Sequence, residues 1–136
     1  MKKFVLLPLA AFVAASCTAG GGEPVELSAA EQTELEIELR GRVAEPTRSC
    51  VSSRDLRGNR SVGEGVLIFD GPTRDVIYVN RPAGGCPDLR QSRALLTRTP
   101  AAQLCRGDIA TVFDPVSNIQ YGGCGLGDFT PYRRVR

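Results

Sequence analysis

The sequence contains no histidine, and its only lysines are Lys2 and Lys3. Without histidine the chain cannot build a Ser-His-Asp or Cys-His nucleophile system or a histidine-based metal site. Without a later lysine it also lacks Ser-Lys dyads, Schiff-base lysines and the lysine of a Walker-type phosphate loop. The absences exclude the common hydrolase and nucleotidase mechanisms and leave carboxylate chemistry as the remaining catalytic class.

The acidic residues do not form a recognisable catalytic pair. A glycosidase needs two carboxylates that face each other across a cleft, and most of the candidates here flank Gly or Pro, where Asp typically forms turns. A calcium loop of alternating acids is also missing. We therefore predict a non-catalytic protein without a metal or cofactor, with a small carboxylate-based hydrolase as an alternative. The candidate carboxylates are Glu64, Asp55, Asp70, Asp75, Asp88, Asp108, Asp114 and Asp128.

The chain begins with the pattern of a bacterial secretory signal. Lys2 and Lys3 precede an uncharged apolar run over residues 4–15, which is the layout of a signal peptide. A membrane-spanning helix needs about 20 apolar residues, and this run stops short of that length. We expect residues 1–16 to be removed on export and expect no membrane-spanning segment in the mature protein.

Cys17 lies where a bacterial lipoprotein carries its lipid. The segment "VAASCTAGGG" resembles a lipobox, with Ala15 and Ser16 before the cysteine. Acyl chains on Cys17 would anchor the protein to a membrane, and residues 17–27 would form a flexible tether. Thr18 after the cysteine resembles the signal for sorting to the outer membrane. The alternative is cleavage by an ordinary signal peptidase, which would release a soluble periplasmic protein.

Charge in the remaining chain is balanced, with 15 arginines and 15 acidic residues once the two lysines are removed. The part from Cys50 onward has a mild excess of 12 arginines over 8 acids. Because aromatic residues do not alternate with these arginines, the pattern is not typical of nucleic-acid binding. We expect no nucleic-acid partner.

Arginines recur at short spacing after Cys50 and again at the C-terminus. Guanidinium groups bind phosphates and carboxylates through paired hydrogen bonds, so such a cluster could form an anion-binding face. The other interpretation is that these arginines are ordinary surface side chains in contact with water. The candidates are Arg54, Arg57 and Arg60, with Arg133, Arg134 and Arg136 as a second group.

Residues 28–41 are predicted to form one short acidic helix. Ser28 and Glu31 have the spacing of a capping box, and Gly41 is a typical residue just past a helix end. Leu35 and Leu39 lie one turn apart. This narrow apolar stripe predicts a helix that docks onto a domain and is not a core element by itself.

Residues 43–136 are predicted to be mainly β. Short β-branched runs are separated by Gly and Pro, and residues 70–74 form a Gly/Pro turn that predicts a hairpin. The runs around this turn are apolar on both faces, which favours a small closed sheet or sandwich. We expect a disulfide-stapled β-barrel or sandwich of about five to six short strands. The predicted strands are 50–56, 65–69, 75–80, 93–98, 108–113 and 129–135.

Four cysteines remain in the exported domain: Cys50, Cys86, Cys105 and Cys124. An even number in an oxidising compartment predicts two disulfides. Their spacings of 36, 19 and 19 residues do not resemble the close pairs of a zinc site. Of the three possible pairings we favour Cys50 with Cys124 and Cys86 with Cys105, because the first and last strands of a closed sheet are neighbours.

Four segments resemble a known family in their order along the chain. They are "RSCVSSRDLR", "VIYVNRPAGGCPDL", "QLCRGDIATVFD" and "CGLGDF". Together they resemble a proteobacterial family of small exported proteins known as domain of unknown function number 6491. The resemblance covers about residues 40–132 and all four domain cysteines. It implies a compact β-rich envelope domain and brings no substrate, cofactor or catalytic residue.

The sequence as a whole predicts an exported, non-catalytic component of the cell envelope. It would be attached to the periplasmic side of the outer membrane through Cys17, or be soluble in the periplasm. A binding module for an anionic envelope ligand, built from Arg54, Arg57 and Arg60, is the first alternative. The binding module requires these three arginines to line one surface. An envelope component without a ligand does not require this.

Overall fold

The computed structural model describes residues 23–90 and 92–136. The predicted signal peptide and Cys17 lie outside the described residues. Over the described part, the chain forms one α-helix and ten strands in three antiparallel sheets. The mainly β prediction is confirmed as a sandwich-like arrangement that does not close into a barrel.

The elements follow one another along the chain with short connections. The helix α1 spans Ala29–Leu39, and a single 3-10 turn spans Ser53–Asp55. The strands are β1 (Arg42–Ala44), β2 (Cys50–Ser52), β3 (Gly58–Val62), β4 (Val66–Asp70), β5 (Val76–Asn80), β6 (Ala94–Thr97), β7 (Gln103–Cys105), β8 (Ile109–Phe113), β9 (Gln120–Gly125) and β10 (Phe129–Arg134).

A five-stranded sheet with the order β1-β10-β5-β4-β3 forms the middle layer. Successive side chains of its strands point to opposite faces, so the apolar runs of β4 and β5 supply two cores. One face packs against α1, where Leu35 contacts a cluster that includes Ile68 and Val79. The other face packs against the two-stranded sheet β2-β7 and the three-stranded sheet β6-β8-β9, with Phe69 and Phe129 in the shared core.

The helix forms as its local sequence predicts. The Ser28 side chain accepts a hydrogen bond from the Glu31 N–H, and the Glu31 carboxylate accepts one from the Ser28 N–H. This reciprocal capping box satisfies two backbone donors at the helix start. Arg40 is the C-cap, and Gly41 follows with a positive φ of 70°. Leu35 is buried and Leu39 packs beside it, as the narrow stripe predicted.

The predicted hairpin at residues 70–74 is confirmed, because β4 and β5 pair on either side of it. The expected number of five to six strands was too low. β1, β3, β7 and β9 were not predicted as strands. β1 and β7 have three residues each, and β9 contains Gly122 and Gly123, so none of these shows the β-branched alternation that identifies a strand.

The predicted disulfide pairing is wrong. Cys50 is bonded to Cys105, with Cα atoms 4.0 Å apart, and Cys86 is bonded to Cys124, with Cα atoms 4.9 Å apart. The first and last strands do pair, since β1 lies beside β10, but Cys50 belongs to β2 in a different sheet. There it lies directly opposite Cys105 of β7. The participation of all four cysteines in two disulfides is confirmed.

The described part of the predicted tether lies against the domain. The carbonyl of Glu23 accepts a hydrogen bond from the N–H of Gly84. Leu27 packs against the core cluster beneath α1. Leu27, the last residue of the predicted tether, is therefore partly removed from water by contact with the sheet.

Among the described residues, no helix combines the length and the apolar character needed to cross a membrane.

Candidate anion-binding groove

A groove beside the hairpin turn brings together two of the three predicted arginines. Arg57 and Arg60 both line it, whereas Arg54 is in the 3-10 turn and does not. The groove has a volume of about 610 Å³, within the range of about 300–1,000 Å³ typical of small-molecule sites. Its charged lining residues are Arg42, Arg57, Arg60, Asp70 and Arg74.

Arg60 is the best-anchored side chain of the groove. It lies in the middle of β3, and its Nη2 donates to Glu38 of α1 at 2.6 Å while its Nη1 donates to Asp70 of β4 at 2.7 Å. The hydrogen bonds from Arg60 lower the pKa of Glu38, and the same bonds raise the pKa of Arg60. Arg60 therefore remains charged and ties the helix to the edge of the sheet.

Arg42 of β1 forms another wall of the groove and makes no ion pair with a carboxylate in the described part of the chain. Its Nη1 and Nη2 donate to the main-chain carbonyls of Asp75 and Arg74. Its buried Nε has no hydrogen-bond partner among the described residues. Burial lowers the pKa of Arg42, and the positive charges of Arg134 and Arg60 lower it further. A bound anion would relieve this repulsion between like charges.

Arg57 and Arg74 are exposed and lie on the chain segments that border the groove. The N–H of Arg57 donates to the carbonyl of Asp70, which fixes its backbone beside the hairpin. Neither guanidinium makes an ion pair with a carboxylate in the described part of the chain. Both therefore keep their hydrogen-bond donors available to a ligand.

The groove carries a net positive charge. Its four arginines face two carboxylates, Glu38 and Asp70, and both of these are already bonded to Arg60. Val76 and Ile77 at the start of β5 also line the groove but are buried, and the exposed side chain of Pro72 in the turn supplies apolar surface. The arrangement can hold a phosphate or carboxylate through several guanidinium donors, with an uncharged part of the ligand on the apolar lining.

The C-terminal arginines do not join the groove as a second cluster. Arg133 is paired with Glu45, and Arg136 is paired with Asp75. Arg134 is the cross-strand partner of Arg42. Sequence inspection missed Arg42 and Arg74, which are 32 residues apart. The pattern gave no sign of their proximity, because it depends on β1 pairing with β10 and β10 pairing with β5.

The carboxylates of the groove are positioned to bind an arginine. Glu38 and Asp70 both accept from the Arg60 guanidinium, and the lowered pKa of Glu38 keeps it ionised at neutral pH. A two-carboxylate hydrolase needs one of its acids protonated to serve as the general acid. Within residues 23–90 and 92–136, no group of three or more Cys, Asp or Glu side chains is placed to hold a metal ion.

Comparisons with protein-family models, with curated proteins and with solved structures find no match to this chain. The resemblance to domain of unknown function number 6491 stays a prediction.

Proposed function

We propose that the chain is an exported, non-catalytic protein of the cell envelope that binds an anionic ligand in the arginine groove. The observation that carries the proposal is the contrast among the groove arginines. Arg60 is neutralised by two carboxylates, whereas Arg42, Arg57 and Arg74 have no ion-pair partner among the described residues. Three guanidinium groups without an ion pair around one cavity attract an anion.

The ligand class follows from the donors and from the size of the groove. Guanidinium groups match phosphate and carboxylate oxygens in geometry. The exposed apolar side chain of Pro72 in the lining supports a ligand that carries its charge on a larger uncharged body. A phosphorylated or acidic sugar of the envelope has this chemistry.

The exported location rests on the cysteines and on the N-terminus. Two disulfides indicate an oxidising compartment. The pattern of residues 1–16 supports export across a bacterial inner membrane. The lipobox-like segment supports lipid attachment at Cys17, with the periplasmic side of the outer membrane as the destination.

The groove is tested by calorimetric titration with inorganic pyrophosphate and with glucuronate at low ionic strength. We expect binding of at least one of these anions, and we expect the double variant Arg57→Gln, Arg74→Gln to weaken it by about tenfold or more, since a charge-assisted hydrogen bond contributes about 1.5–3 kcal/mol. Binding that the double variant leaves unchanged would refute the groove as the site.

Arg81→Gln is the matched control. Arg81 is also exposed and has no ion pair among the described residues. It follows the last residue of β5, whereas the groove lies at the first residues of that strand. A five-residue strand separates the two by about 16 Å. Equal losses in the control and in the double variant would indicate nonspecific attraction to positive charge.

Lipid attachment is tested by intact mass spectrometry of the protein from the membrane fraction of its native cells. We expect the N-terminal residue to be Cys17 carrying a diacylglycerol and an acyl chain. We expect Cys17→Ser to release the protein into the soluble fraction, because two or more acyl chains are needed for stable anchoring. An unmodified mature chain in the soluble fraction would leave the ordinary periplasmic protein as the correct assignment.

A further inference from the structure

Among the described residues, one edge of the strand β3 is unpaired. It is the last strand in the order β1-β10-β5-β4-β3, so β4 covers only one of its two edges. Edge strands present rows of N–H and C=O groups that another strand can bond to. At the opposite end of the sheet, β1 has only three residues and is followed by Pro46. β3 has five residues and contains neither Pro nor Lys.

The register of the sheet identifies which main-chain groups of β3 are free. The N–H of Gly71, just after β4, donates to the first carbonyl of β5. Alternate residues of β4 therefore bond to β5, and the residues between them, including Ile68, bond to β3. Ile68 lies opposite Arg60. The main-chain groups of Arg60 thus point toward β4, and those of Asn59 and Ser61 point outward.

No loop or side chain in the described part of the chain bonds to the outward groups of Asn59 and Ser61. The pairing of β3 with β4 is continuous over five residue pairs without a bulge. Bulges, charges and covering segments are the usual means of blocking an edge. Within the described residues, no bulge or covering segment blocks the middle of β3, and its one charged side chain, Arg60, is already bonded to Glu38 and Asp70.

The space beside this edge is concave. Two cavities of about 220 and 310 Å³ lie along β3, and Asn59 lines both of them. Thr97 and Ala94 of β6, an edge strand of the three-stranded sheet, border the same cavities. The apolar floor of the smaller cavity includes Phe69 and Leu104. The two layers therefore leave a cleft with an open strand edge on one side and apolar surface at its base.

Arginines outnumber carboxylates around this cleft, where Glu34 lines the larger cavity and Asp55 adjoins the lining residue Leu56. Arg57 borders the smaller cavity and Arg90 the larger one, and neither makes an ion pair among the described residues. Arg54 and Arg98 adjoin the lining residues Ser53 and Thr97. Two copies of the chain paired through β3 would bring these like charges together, which disfavours self-association.

We propose that the β3 edge binds an extended acidic segment of a partner protein by strand addition. The added strand bonds to the free groups of Asn59 and Ser61, places alternate apolar side chains in the cleft and sets acidic side chains against the surrounding arginines. Main-chain hydrogen bonds supply affinity in this mode, and the flanking surface supplies specificity. Arg57 borders both this cleft and the anion-binding groove, whereas Arg42 and Arg74 line the groove and not the cleft.

The test uses the acidic peptide Thr-Glu-Val-Glu-Val-Glu-Thr and its basic counterpart with Lys in place of Glu. Fluorescence anisotropy is expected to show saturable binding of the acidic peptide and none of the basic one. The variant Ser61→Pro removes one outward N–H while leaving the bonds to β4 intact. It is expected to weaken binding about tenfold or more, through the lost bond and the altered edge. Ser61→Thr, which keeps the N–H, is the control.

A second probe leaves the protein unchanged. The acidic peptide with N-methyl groups on alternate residues keeps its charge and loses the N–H groups needed for pairing, so its binding is expected to fall as much as in Ser61→Pro. Equal binding of the methylated and unmodified peptides would overturn strand addition. Concentration-dependent dimerisation that Ser61→Pro abolishes, without peptide binding, would overturn strand addition in favour of self-pairing.

The variant Arg74→Gln separates this proposal from the proposed function. It is expected to lose pyrophosphate binding and to keep peptide binding.

Discussion

Arg60 and Arg42 occupy the same groove and have opposite surroundings. Arg60 is bonded to carboxylates from α1 and β4, so its positive charge is neutralised by neighbouring side chains of the same chain. Arg42 is held by main-chain carbonyls and repelled by Arg134 and Arg60. A buried donor without a partner costs about 1–3 kcal/mol. Such local costs are expected where a residue serves binding at the expense of stability.

The ion pair between Glu38 and Arg60 makes stability depend on pH. The pKa of Glu38 lies below its usual value of 4.5 in the folded protein. A carboxyl group with a lowered pKa stabilises the fold fully above its unfolded pKa, and this contribution is lost as the pH falls through the folded value. The pair therefore stabilises the protein at neutral pH and stops doing so in acid.

We expect Glu38→Gln to lower the free energy of unfolding by about 0.5–1 kcal/mol at pH 7, as is usual for a partly exposed pair, and to have a smaller effect at pH 3. Urea unfolding at the two pH values measures both quantities. Glu36→Gln, at an exposed position of the same helix, is the control and should change neither. An equal loss at pH 3 and pH 7 would contradict the ionic role of Glu38.

At the scale of single elements, locally encoded features were predictable. The capping box at Ser28 and Glu31 and the turn at residues 70–74 depend on neighbours in sequence, and both are found as expected. The short strands β1 and β7 form because longer strands lie beside them. Their three residues carry too little pattern to identify them.

Only part of the anion-binding groove was predictable, because a sequence pattern reveals residues that are neighbours along the chain and not those that meet through folding. Arg57 and Arg60 are close in sequence and share the groove. Arg42 and Arg74 reach it through the pairing of distant strands, and the disulfide partners are likewise set by that pairing. A prediction from neighbouring residues contains no information on such contacts.

Leu35 is the one buried side chain of the helix α1 and supplies its main apolar contact with the sheet. Leu35 is 2% exposed, whereas Ile37 on the same helix is 56% exposed. We expect Leu35→Ala to lower the free energy of unfolding by about 2–5 kcal/mol and Ile37→Ala to change it by at most about 0.5 kcal/mol. Chemical denaturation followed by circular dichroism measures both. Similar effects of the two substitutions would show that α1 does not dock through Leu35.

The two disulfides differ in their exposure to solvent. Cys50 and Cys105 are half-buried, whereas Cys86 and Cys124 are 0% and 5% exposed. Because a reductant must reach the sulfur atoms, we expect mild reduction of the native protein to open Cys50–Cys105 first. Alkylation followed by peptide mapping identifies the reduced pair. Both pairs should react at similar rates in denaturant, and earlier labelling of Cys86 and Cys124 in the native state would contradict the structure.

At the scale of the whole molecule, the disulfides connect parts of the chain that are distant in sequence. Cys50–Cys105 joins the two strands of the smallest sheet. Cys86–Cys124 connects the segment after β5 to β9, and so links the middle layer to the three-stranded sheet. Their sequence separations of 55 and 38 residues correspond to about 4 kcal/mol each on the chain-entropy model. That is a large share of the total of about 5–15 kcal/mol typical of a domain.

The central claim is that two particular cross-links, Cys50–Cys105 and Cys86–Cys124, hold this β-sandwich together. The direct measurement is mass spectrometry of tryptic peptides from non-reduced protein purified from its native cells, because cleavage at arginine places the four cysteines on four peptides. We predict that peptide 49–54 is linked to 99–106 and that peptide 75–90 is linked to 107–133. A link between 49–54 and 107–133, or free thiols on these peptides, would contradict the account.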